Sequence, residues 1–197
     1  MIQMADSPPG HPARRKEIVE AARSIAATEG WPAVTVRAIA ARIGCSAPAI
    51  YQYFRDKDAV LTALAGDARE GLDQRLHDAV ADIHGPGKRL RTLTQEIWRF
   101  AMDNRELYAV MFGLDGLKPF GNHGGEAPRQ LQVIAEELIV KHDAKGDSLA
   151  LTDRLAATMH GFIALTLQQR FPGGADRACD LLLSTIDDIA RSIKEPA

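Results

Sequence analysis

Arg37, Ser46, Gln52 and Tyr53 lie within 23 residues of one another's stretch, TVRAIAARIGCSAPAIYQYFRDK, which runs from Thr35 to Lys57. Their side chains can hydrogen-bond to base edges. An arginine suits guanine with two parallel N–H donors, and a glutamine suits adenine with one donor and one acceptor. Ala47 and Ala49, set between them, offer only methyl groups, which fit the thymine methyl. Such chemistry requires a rigid support that holds small and polar residues outward.

The stretch has that support in its spacing. Thr35 is placed to cap a first short helix, because its hydroxyl accepts from an unpaired N–H of the first turn. Ile39, Ala40 and Ile43 share one face of that helix, and Gly44 falls where a left-handed residue ends it. Ser46 is placed to cap a second helix, and Pro48 lies in its first turn, where a missing N–H removes no bond. Ile50 and Phe54, four apart, point inward and leave Ala47, Ala49, Gln52 and Tyr53 outward. Two short helices of this kind make a helix-turn-helix reader, and spacing alone leaves an ordinary helical hairpin open as well.

Thr35 and Arg37, Ile39-Ala40, Gly44, Cys45, Ser46, Tyr51, Phe54 and Lys57 together resemble the DNA-binding segment of the TetR/AcrR family of bacterial transcriptional regulators. The resemblance is carried by residues 12 to 64 and extends to the rest of the chain only as architecture. It implies that Tyr51 and Lys57 grip phosphates and so set affinity, while base edges set specificity. With Thr35 and Pro48 at the helix starts, the expected DNA-binding set is Thr35, Arg37, Ser46, Ala47, Pro48, Ala49, Tyr51, Gln52, Tyr53 and Lys57.

Composition is that of a globular protein: 46% hydrophobic and 25% charged residues, with a formal net charge of −2. A slightly acidic chain does not advertise nucleic-acid binding, but residues 1–64 carry 8 Lys/Arg against 6 Asp/Glu. No apolar run approaches the roughly 18 residues of a membrane span, and no signal-peptide region opens the chain. Cys45 and Cys179 make neither a metal spacing nor a disulfide framework, so a cytoplasmic protein with reduced thiols is expected. The six histidines form no i, i+4 pair and no H-E-x-x-H motif. There is no G-x-S-x-G elbow and no phosphate-binding glycine loop. Neither an enzyme nor a resident metal or cofactor is expected.

Residues 1–12, with Pro8, Pro9, Gly10 and Pro12, read as a disordered tail. Arg14, Arg15 and Lys16 open the first helix and suit either a solvated helix end or phosphate. The reader domain is placed at 13–60 and the remaining domain at 61–197. After the reader, Asp56 is placed to cap a long fourth helix reaching His84, in which Gly66 and Gly71 point to close packing or a bend. Everything beyond is helical: a fifth helix from Lys88, a sixth capped by Asn104, a mobile loop Gly113–Gly125, and helices near 128–142, 148–171 and 175–194. The fold class is all-α.

Cys179, Leu182, Leu183, Ile186, Ile189, Ala190 and Ile193 form a stripe on the last helix, wide enough for core and partner alike. In the family this terminal pair meets its copy, which implies a homodimer through 148–171 and 175–194. A carboxylate at Leu183 or Ile186 is then expected to disrupt that contact. Trp98, Met102, Tyr108, Met111, Phe112, Met159, His160 and Phe162 concentrate on the fifth, sixth and eighth helices. Met and aromatic residues at such spacing serve as plain core or as the lining of an effector cavity. His160-Gly161 and Tyr108-x-x-Met111-Phe112-Gly113 resemble elements of one TetR subgroup, although Arg105 stands where many relatives have proline. His160 itself fits either a ligand contact or a core histidine. The expected protein is a homodimeric repressor, released from an inverted-repeat operator by a small, largely apolar effector. An all-helical dimeric binding protein without DNA-binding activity is the alternative.

Overall fold

The computed structural model describes residues 11–120, 125–142, 144 and 146–193 of the chain. Among the described residues all regular structure is helical: α1 (His11–Glu29), α2 (Val36–Arg42), α3 (Ala47–Ile50), α4 (Lys57–Val80), α5 (Pro86–Asp103), α6 (Arg105–Phe112), α7 (Glu126–Lys141), α8 (Ser148–Leu167) and α9 (Gly174–Ser192), with one 3-10 turn at Trp31–Ala33. Of the expected tail, residues 1–10 lie outside the described residues. His11 and Pro12 instead open α1, where a proline in the first turn removes no intrahelical bond.

Among the described residues the chain forms two compact units, one of positions up to 68 with 106–120 and the other of positions 69–105 with those from 125 onward. In the first, α1 buries Ile18, Val19, Ala22, Ile25 and Ala26. Arg42 ties α2 to α1 by donating to Ser24 Oγ at 2.8 Å and to Glu29 Oε1 at 2.7 Å. Asp56 caps α4, accepting from the Ala59 N–H at 2.7 Å. The segment after α6, expected to be mobile, is anchored as far as Phe120. Its N–H donates to the Val110 carbonyl at 3.1 Å, its ring is buried, and Lys118 pairs with Asp58 at 2.5 Å. Residues 121–124 of that loop lie outside the described residues.

In the second unit α5 packs against α7, α8 and α9. Leu90, Leu93, Ile97 and Ala101 are buried along it, and the buried Thr94 hydroxyl donates to the Leu90 carbonyl at 2.8 Å. Ion pairs fasten its flanks: Arg75–Glu96 to α4 at 3.2 Å, Arg91–Asp187 to α9 at 2.6 Å, and Arg89–Glu137 to α7. Thr152 on α8 donates to Gln132 on α7 at 3.0 Å.

Several boundaries differ from expectation. α4 stops at Val80 rather than His84, because the Ile83 N–H turns back to the Val80 carbonyl at 3.1 Å. Asn104 closes α5: its backbone and side-chain nitrogens both donate to the Phe100 carbonyl, at 2.9 and 3.1 Å. α8 ends at Leu167, four residues early, where Gln169 takes φ 57° and Arg170 N–H reaches the Leu165 carbonyl at 2.9 Å. Lys194, the expected end of the last helix, lies outside the described residues. Gly66 and Gly71 are exposed with open space where a Cβ would stand, so close packing does not explain them. Leu183 and Ile186 are buried within the protomer, so a carboxylate there reports on folding before it reports on any partner.

Candidate nucleic-acid interface

The turn between α2 and α3 follows from Gly44. It sits at φ 66°, its N–H donates to the Ala41 carbonyl at 3.3 Å, and the Cys45 N–H donates to the Ala40 carbonyl at 2.9 Å. This is the six-to-one and five-to-two pairing of a Schellman end, which a glycine enters without the Cβ penalty. At the other end of α2 the Thr35 hydroxyl accepts from the Ala38 N–H at 3.1 Å. A hydroxyl has one proton as well as two lone pairs, so capped Thr35 still has an O–H to give to a phosphate.

Ile39, Ala40, Ile50 and Phe54 are buried and form the underside. Thr35, Arg37, Ser46, Pro48, Tyr51 and Gln52 are exposed above it, while Ala47, Ala49, Tyr53 and Lys57 are half-buried. Tyr51 is 55% exposed, large for an aromatic ring with so much apolar surface to hide. The first unit thus carries all ten expected DNA-binding residues on consecutive elements, from the start of α2 through α3 to the first residue of α4. α3 is a single turn, and Ser46 occupies its N-cap position without a side-chain cap bond, so the expected hydroxyl cap is not made. The Lys57 ammonium lies 3.5 Å from the Trp31 carbonyl, a long contact that leaves N–H bonds available for another acceptor.

Sequence reading missed the role of α1. The Arg15 guanidinium lies 4.1 Å from the centre of the Phe54 ring and donates to the Tyr53 carbonyl at 3.2 Å. Arg14 pairs with Glu17 at 2.6 Å. Local spacing alone assigns these basic residues to a solvated or phosphate-facing helix end. A contact across 38 positions leaves no trace in local periodicity.

The eight residues expected to hold an effector divide between the units. Tyr108, Met111 and Phe112 belong to the first, where the Tyr108 and Phe112 rings stack with centroids 4.4 Å apart. Tyr108 and Met111 are buried, Phe112 is exposed, and burial pushes the Tyr108 phenol far above its usual range. Trp98, Met102, Met159, His160 and Phe162 belong to the second unit, on the packed helices α5 and α8. Trp98 and Met159 are buried there, and Met102, His160 and Phe162 are half-buried. Burial lowers the His160 imidazole below its usual 6.5. A separate groove of the second unit is lined by Glu70, Asp73, Gln74, His77 and Glu126, and shares no residue with that set. Among the described residues no group of three or more His, Cys, Asp or Glu is placed to hold a metal ion, and no helix is long and apolar enough to cross a membrane.

Comparison with known proteins places these units in a family. Residues 18–64 match the model for bacterial regulatory proteins of the tetR family, and residues 90–187 match the tetracyclin repressor-like C-terminal domain. The chain is similar to the HTH-type transcriptional repressor Rv1474c of Mycobacterium tuberculosis, 40% identical over 35% of this chain and 42% of the relative. It is also similar to the nucleoid occlusion factor SlmA of Photobacterium profundum, 31% identical over 51% of this chain and 52% of the relative. The chain therefore spans about half the length of these two curated relatives. A longer match, at 28% identity, covers 80% of this chain and 85% of SlmA from Pectobacterium carotovorum. Its fold is that of a protein of unknown function from Rhodococcus sp. RHA1, with TM-score 0.78, 24% identity and coverage of 96% and 100% of the two chains. A TetR/AcrR-family regulator from Thermobifida fusca aligns with TM-score 0.63 at 23% identity, over 88% of this chain and 96% of that one. With both family models matching and spanning more than half of it, the chain belongs to the TetR family of bacterial transcriptional regulators, with a helix-turn-helix DNA-binding domain.

Proposed function

We propose that this regulator is a homodimeric repressor that reads an inverted-repeat operator and leaves it when a small, largely apolar molecule binds. The observation that carries the DNA reading is the face described above: exposed Arg37, Ser46, Pro48, Tyr51 and Gln52 over a buried Ile39–Ile50–Phe54 base. Arg37 and Gln52 read base edges, the alanines meet methyl groups, and Thr35, Tyr51 and Lys57 hold phosphates. Fluorescence anisotropy tests this reading, using a duplex selected from a random pool by the wild-type chain. Lys57→Ala should weaken all duplexes alike and flatten the salt slope by about one. A changed sequence preference with an unaltered slope would assign Lys57 to base reading instead.

Dimerisation is proposed through α8 and α9. Leu165 on α8 and Leu181 on α9 are 42% and 38% exposed, and Gly161 on α8 has open space where a Cβ would stand. Exposed leucines beside a small residue suit close helix approach, and a two-fold axis repeats each contact. Two readers related by that axis require an inverted repeat. For the effector, Trp98, Met102, Met159 and Phe162 supply apolar surface on α5 and α8, with His160 as the polar group. Ligand binding releases DNA by favouring a conformation that the operator does not. A Trp98 fluorescence titration with apolar compounds, with Trp31 replaced to clear the signal, tests it. Quenching and DNA release by a polyanionic metabolite alone would contradict the apolar assignment.

A further inference from the structure

Within the proposed reader, we infer that Arg15 is a positioning residue that fixes the far end of the DNA-reading segment without touching DNA. α3 is one turn long, and its N-cap Ser46 makes no side-chain bond, so the element does little to hold itself. Its interior support is Ile50 and Phe54, both buried. Beyond α3 the chain turns through Tyr51, Gln52 and Tyr53, and both Tyr53 and Phe54 N–H groups return to the Ile50 carbonyl, at 2.9 and 3.0 Å. The Tyr53 carbonyl points out of this turn, at the negative end of the local backbone dipoles. Arg15, from α1, donates to it at 3.2 Å and lays its guanidinium 4.1 Å from the Phe54 ring centre. One planar group thereby grips the two residues that immediately follow Gln52.

The geometry demands arginine in particular. A guanidinium can lie over a ring while its in-plane N–H points to a carbonyl, whereas an ammonium offers a point charge without a plane. The grip directs one guanidinium N–H to a protein carbonyl and its face to a ring, while the group stays exposed. Gln52 and Tyr53 owe their direction to this turn, so loosening it scatters these base-reading groups. Backbone-tracking contacts at Thr35 and Lys57 lie on other elements and stay in place.

The test measures Arg15→Met and Arg15→Lys beside the wild-type chain, on a duplex the wild type selects from a random pool and on an unrelated duplex of equal length. Affinities are taken across a salt series, and thermal melts record folding. Arg15→Met, which keeps the stem, should lose about tenfold on the selected duplex, equivalent to about 1.4 kcal/mol. Its affinity for the unrelated duplex and its salt slope should stay as in the wild type. Arg15→Lys should lose about threefold, with a melt like the wild type's. Full affinity in Arg15→Lys overturns the planar grip. A fall on both duplexes, with a slope shallower by about one, makes Arg15 a phosphate contact and overturns the proposal. Wild-type affinity in Arg15→Met also overturns it. If the wild type itself cannot distinguish the two duplexes, the DNA reading fails, and this inference fails with it.

Discussion

Replacing Leu165 and Leu181 together by glutamate should break the proposed dimer and leave the single chain folded. Fully burying a leucine is worth about 2 to 3 kcal/mol. Leu165 is 42% exposed and Leu181 38%, so burying the remainder of each stabilises association by about 1 kcal/mol. The two-fold axis presents each leucine twice, which brings the total to about 4 kcal/mol, or nearly a thousandfold in the dimer dissociation constant. The introduced carboxylates add a desolvation penalty on the same side. Sedimentation equilibrium at micromolar concentration should show monomers, with a melting temperature close to that expected for surface substitution. Val140 on α7, 79% exposed, supplies the control, and Val140→Glu should leave association unchanged. A double variant that stays dimeric with a constant within tenfold of the wild type would refute this reasoning. Dissociation by Val140→Glu alone would move the interface to α7.

Two glycines of the first unit separate conformational strain from crowding. Gly44 and Gly113 have similar φ, 66° and 72°, but a Cβ meets nothing at Gly44 and lies 2.8 Å from the Pro119 ring and nitrogen at Gly113. Gly44→Ala should cost about 1 kcal/mol and Gly113→Ala about 2 to 5, read by urea denaturation, and equal losses would contradict the account. Gln169 occupies a left-handed position at φ 57°, so Gln169→Gly should stabilise by about 0.5 to 1 kcal/mol in the same assay, and a loss of stability would count against that reading. His160, lowered in the folded state, makes a contribution that is full above pH 6.5 and is lost as the pH falls from there through the folded value, because the unfolded chain takes the proton first. His160→Gln should therefore lose less melting temperature than the wild type between about pH 7.5 and 5.5, and an equal loss would remove His160 as a cause.

What the sequence displayed and what it hid follow from the range of each interaction. The α2–α3 turn was legible because a glycine marks a left-handed position and the Ile39, Ile50 and Phe54 spacing repeats at helical intervals. The equivalent end of α8 was hidden, since a glutamine takes the left-handed position and carries no such mark. Asn104 suits a cap at either helix end, and its contact with Phe100 at the end of α5 has no local sequence mark. That residues 106–121 join the unit containing α1 is a tertiary fact, expressed in the Arg23–Glu106 pair at 3.0 Å and Lys118–Asp58. The stripe on α9 was visible, but its division between core and surface was not: Leu182, Leu183 and Ile186 are buried in the protomer, and Leu181 is left outside. For the effector residues, periodicity reported apolar faces without distinguishing packed core from an open lining, as buried Met159 and half-buried Phe162 on the same helix illustrate.

The central claim is that two copies of this chain read one duplex through paired helix-turn-helix segments. Titrating the full-length chain into a fluorescent duplex, with the half-sites taken from pool selection, tests it most directly. The account predicts an inverted-repeat consensus, saturation at two chains per duplex or a multiple of two, and a marked loss of affinity when one half-site is scrambled. Equal binding to the intact and half-scrambled duplexes, or saturation at a single chain, would contradict it.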